Sequence, residues 1–135
     1  MRTITRDDVL TALDEAVAEK GADYVYPRRT TENSQPEFGG GCDYVRDGAP
    51  SCIAANALHR LGVPVETLQI LDHLAPGGVG IDTRGVPAVL RAAGFEPGSA
   101  YDHHGALGTL RKAQCRQDQG VAWGEAAKAA HEADY

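Results

Sequence analysis

The chain has 135 residues, a formal net charge of −6 at pH 7 and a hydrophobic share of 42%. That size and apolar share suit one folded domain spanning residues 1–135 and exclude wholesale disorder. The acidity argues against a nucleic-acid-binding face, which calls for a basic stripe. No run approaches the roughly 18 apolar residues of a membrane span.

The opening MRTITRDDVL lacks the apolar stretch of a secretory signal. Cys42, Cys52 and Cys115 form an odd set without disulfide-framework spacing, so reduced thiols in a cytoplasmic protein are expected. The adjacent cations Arg28-Arg29 and Arg111-Lys112 read as solvated edges, because a duplex clamp takes several phosphate contacts.

The first helix is the clearest element. Thr5 is its expected N-cap and Asp8 closes a capping box. Val9, Leu10, Leu13 and Val17 recur at helical spacing, and Gly21 supplies the residue that commonly follows a helix end. Tyr24-Val25-Tyr26 is a short strand-like run stopped by Pro27. Residues 28–41, RRTTENSQPEFGGG, read as a mobile polar loop. Residues 42–45 form a second strand-like run, ended by a turn at Asp47-Gly48. The two runs are expected to pair into a small antiparallel ribbon.

Ser51 is the expected N-cap of a second helix carrying Ile53, Ala57, Leu58 and Leu61. Pro64 fits the first turn of a third helix through Leu71. Residues 75–80 make a link. Asp82 or Thr83 caps a fourth helix that stops at Gly94, with Pro87 tolerable in its first turn. Asp102 is expected to cap a fifth helix bearing Leu107 and Leu110, and Trp123 to Ala130 make the last. The fold class is therefore mainly α: a bundle of about five to six short helices with a two-stranded β-ribbon.

Few residues suggest chemistry. Cys52 falls in the first turn of a helix, where backbone N–H groups and the dipole favour a thiolate. His59 lies about 10 Å along that helix and cannot reach it, so a base would have to be His73, His103, His104 or His131. The competing reading is a small buried residue, since cysteine is among the most buried types. Cys42 and Cys52 could share a metal with His103 and His104, although no standard zinc spacing is present. The glycine runs at 39–41 and 77–80 lack the lysine and hydroxyl of a phosphate loop, so no cofactor is expected. Tyr24, Tyr26 and Tyr44 with Arg28 and Arg46 form a candidate recognition surface, because Tyr and Arg dominate interface hot spots. Alternatively, these rings cover the core with their hydroxyls in water.

Three segments, EAVAEKGADYVY (15–26), CDYVRDGAPSCIAANALHRLGV (42–63) and LRKAQCRQDQGVAWGEA (110–126), carry a pattern that resembles small proteins of unassigned function from actinobacteria and their phages. The resemblance implies an actinobacterial or actinophage origin, in keeping with the arginine and alanine bias, and brings no residue roles with it. The leading expectation is a small acidic, non-catalytic binding protein acting on a host protein or a small ligand, with a homodimer among the arrangements open to it. The alternative is a cysteine-dependent enzyme using Cys52.

Overall fold

The computed structural model describes residues 1–27, 43–74 and 85–132. The chain starts with β1 (Arg2–Thr3), which pairs in parallel with β4 (Phe95–Glu96), a contact with no counterpart in the sequence reading. Helix α1 (Arg6–Lys20) follows, and its start obeys the expected chemistry. Thr5 Oγ1 accepts the Asp8 N–H at 3.1 Å, and Asp8 Oδ2 accepts the Thr5 N–H at 2.9 Å. These bonds hold the Asp8 carboxyl below its ordinary range, as hydrogen bonds to a charged form do. The helix ends at Gly21, whose φ of 99° is costly for any residue with a Cβ.

The antiparallel ribbon is present, but its partners differ from those expected. Strand β2 (Val45–Arg46) pairs with β3 (Ala49–Pro50) around Asp47-Gly48. Residues 24–26 belong to no strand. The turn residues have φ of 53° and 76°, the paired positive values that match the twist of a tight hairpin. Closing two residues costs far less chain entropy than closing the long segment between Tyr26 and Val45, so the local pairing wins. Cys42 and Arg28 lie outside the described residues.

Helix α2 (Ile53–Arg60) is capped one residue later than expected, at Cys52, with no side-chain bond from the cap itself. The Ser51 hydroxyl is engaged elsewhere, 2.9 Å from the Tyr26 hydroxyl. Helix α3 (Val65–Leu74) follows directly. Helix α4 (Val86–Ala92) carries Pro87 in its first turn, where the missing N–H costs nothing. The proposed caps Asp82 and Thr83 are outside the described residues. Helix α5 (Ala106–Asp118) starts at Gly105 rather than Asp102. Asp102 instead spends its carboxylate on the His104 N–H, at 3.0 Å, which is a turn rather than a helix cap. Helix α6 (Trp123–His131) closes the fold.

Helices α1, α2, α5 and α6 pack on one another, and α3 packs on α4 beside them. Val9, Leu13, Ile53, Leu58, Leu107, Leu110 and Trp123 are fully enclosed, with Ala16, Ala54, Ala57, Ala113, Ala126 and Ala130 between them. Small side chains let helix backbones approach closely. The extreme case is Gly124, where an added Cβ would sit 2.8 Å from the Ala22 carbonyl oxygen. That approach lets the first turn of α6 donate to the chain after α1, with Trp123 N–H to Tyr24 C=O at 2.8 Å and Gly124 N–H to Ala22 C=O at 3.0 Å. No described helix is long and apolar enough to cross a membrane.

Candidate functional site

Two polar regions stand out, and only the first was singled out by sequence. It is the corner where Tyr26, residues 43–52, Asp72 and Gln117 meet. Tyr26 is 3% exposed and Tyr44 1%, so neither ring covers the core with its hydroxyl in water. The Tyr26 oxygen accepts the Asp43 N–H at 3.2 Å and lies 2.9 Å from Ser51 Oγ. Arg46 stacks over the Tyr26 ring, with its guanidinium carbon 4.9 Å from the centroid. Its Nε donates to Asp43 at 2.8 Å and its Nη1 to the Pro27 carbonyl at 3.2 Å. Tyr26 and Arg46 thus tie the chain before residue 28 to the chain after residue 42. Tyr24 sits apart from this clamp, edge-on to Trp123 at 4.8 Å between centroids, with Lys20 over its face.

Asp72 of α3 reaches into the same corner. Its two carboxylate oxygens accept the N–H groups of Tyr44 and Val45 at 2.7 and 3.0 Å. Burial nonetheless raises its pKa, against the lowering effect of those bonds, and nearby Asp43 pushes in the same direction as burial. At the start of α2 the Ile53 N–H donates to Gln117 Oε1 of α5 at 2.7 Å. Gln117, 1% exposed, is the capping acceptor that Cys52 does not provide.

Cys52 has no exposed surface. Its N–H donates to Asp43 C=O at 3.1 Å, and its carbonyl accepts from Asn56. A sealed sulfur offers a solvent-borne substrate no approach. Among the described residues no three His, Cys, Asp or Glu side chains are grouped to hold a metal. His59 is bonded to the Val63 carbonyl and His131 to Asp14. His73, His103 and His104 are exposed.

The second region is a groove of about 520 Å³ on the outer side of α5, lined by His103, Arg111, Lys112, Cys115, Arg116, Gln119 and Ala129 of α6. Arg111, Cys115 and Gln119 follow at i, i+4 and i+8, and Lys112 and Arg116 at i and i+4 one position on, which puts all five on one face. The far end is built by Gly108. An added Cβ there would lie 2.5 Å from the carbonyl oxygens of Asp102 and His103. The absence of that atom lets the 102–104 turn fold over α5, with Lys112 Nζ donating to the His103 carbonyl at 2.8 Å. Arg116 also borders a smaller depression with Glu125, Lys128 and Glu132.

Sequence reasoning passed over this groove by reading Arg111-Lys112 as a solvated pair and Cys115 as one of three thiols. The available signal was RKAQCR (111–116), three cations in six residues whose helical spacing gathers them on one side of α5. No protein-family model, curated protein or solved structure matches the chain.

Proposed function

We propose that this chain is a small acidic binding protein that holds a small anionic ligand, bearing carboxylate or phosphate groups, in the α5–α6 groove without turning it over. The observation that carries the reading is the sign of the groove. Three cations of α5 line one open cavity on a chain whose net charge is −6. Arginine is suited to planar oxyanions, because its fork donates two parallel N–H bonds to them. A volume of about 520 Å³ falls in the range of small-molecule sites. The aromatic–arginine cluster supports structure instead, since Tyr26 and Arg46 bond to Asp43, Ser51 and Pro27 of the fold and Tyr44 is buried.

The sequence resemblance supports an actinobacterial or actinophage setting, in which the ligand would be a host metabolite. Titration calorimetry with pyrophosphate and with citrate tests the function. We expect saturable binding by at least one, weakened about tenfold or more in an Arg111→Gln/Arg116→Gln double variant, a factor worth ~1.4 kcal/mol. Affinity should also fall with added salt. No binding of either anion, or binding indifferent to both arginines, would contradict the assignment.

A further inference from the structure

We propose that Cys115 forms reversible mixed disulfides with small anionic disulfides, selected by the cations around it. The inference rests on the α5–α6 groove being an anion site and goes beyond it by giving the thiol a reaction. Cys115 is exposed, in contrast with the fully enclosed Cys52 of the same chain. It lies inside the groove, one helical turn after Arg111 and adjacent to Arg116, with Lys112 and His103 in the same lining. A disulfide carrying carboxylates would therefore be held with its charges on the arginines and its sulfurs next to the thiol.

The step balances without a further oxidant. The Cys115 thiol gives its proton to solvent, and the thiolate attacks one sulfur of R–S–S–R. The Cys115–S–S–R bond forms as the original S–S bond breaks, and the leaving R–S⁻ carries off the electron pair. The small disulfide is reduced to one thiolate while Cys115 is oxidised, and excess thiol reverses the exchange.

The two fields acting on an incoming dianion have opposite signs, which makes the inference testable. The net charge of −6 repels it, whereas the groove attracts it, and local fields near a cleft alter association rates by tenfold or more. The experiment uses the full chain with Cys42→Ser, so that the thiol outside the described residues is removed. Rates with DTNB, a dicarboxylate disulfide, and with neutral dithiodipyridine are compared for the folded and urea-unfolded protein, and the labelled residue is identified by peptide mass mapping.

We expect labelling at Cys115 and a DTNB-to-dithiodipyridine ratio about tenfold higher in the folded than in the unfolded chain. That preference should collapse toward unity in Arg111→Gln/Arg116→Gln and, in the unsubstituted groove, at about 0.5 M salt. A folded-state ratio equal to or below the unfolded one, or one unmoved by both the substitutions and salt, overturns the inference. Pyrophosphate binding is measured on the same samples. Intact binding without a disulfide preference refutes the thiol's role alone, whereas loss of both refutes the groove as an anion site.

Discussion

The corner around Tyr26 and the groove along α5 contain the same kinds of residues, arginine, a polar partner and cysteine, arranged to opposite ends. In the corner, Arg46 is stacked on Tyr26, bonded to Asp43 and bonded to Pro27, and Cys52 is enclosed. Tyr26, Asp72, Gln117 and Arg46 there each bond a backbone N–H or carbonyl of the fold. In the groove, Arg111, Cys115 and Arg116 are exposed along one helix face. The lesson is that residue type does not separate stability from binding. Geometry does, by deciding whether such groups are enclosed among other elements or stand exposed along a helix face that lines a groove.

That contrast predicts a gradient of effects. Tyr44→Ala empties a fully packed aromatic site and should cost about 3–5 kcal/mol in denaturant unfolding, as aromatic truncations in cores do. Gln117→Leu keeps most of the volume but leaves the Ile53 N–H buried without its acceptor, and should cost about 1–3 kcal/mol. A cost below about 0.5 kcal/mol would break the claim that Gln117 caps α2 in place of Cys52.

Asp72 sharpens the comparison through pH. Its folded pKa is raised above the ordinary 3.8, chiefly by burial, so the folded state holds its proton more tightly than the unfolded chain. The resulting stabilisation is fully present below the unfolded value and is lost as pH rises through the folded value. Asp72→Asn cannot titrate. The stability of the natural chain relative to Asp72→Asn should therefore fall as pH rises from below 3.8, then level off. A difference that grows with pH would contradict the direction of the shift.

The smallest expected effect on stability belongs to the groove. Arg111→Gln/Arg116→Gln should change unfolding free energy by no more than about 0.5 kcal/mol, the usual range for surface sites, while anion binding falls. A larger loss would mean that the groove arginines serve the fold as Arg46 does.

The helices were legible because their signals are local. The Thr5–Asp8 capping box, the Val9–Leu13 spacing and the Gly21 stop all act within a few residues. Legibility failed wherever the partner came from afar. The cap of α2 is Gln117, 64 positions from Ile53, and β1 finds β4 across most of the chain. Ser51 was a sound local cap, but Tyr26 claimed its hydroxyl. For the candidate site, the adjacency of tyrosines and arginines at 24–46 suggested a surface, and tertiary packing turned Tyr26 and Tyr44 inward. The groove was readable as a stripe in RKAQCR, yet its closure by the 102–104 turn depends on Gly108, whose role shows only once backbones are placed.

The most direct test pairs one arginine substitution set from each region in a single pyrophosphate titration. Arg111→Gln/Arg116→Gln should lose about tenfold or more in affinity at nearly natural stability, and Arg46→Gln should lose stability while the folded fraction binds as the natural chain does. Binding lost in Arg46→Gln and kept in Arg111→Gln/Arg116→Gln would place the ligand at the corner and contradict the account.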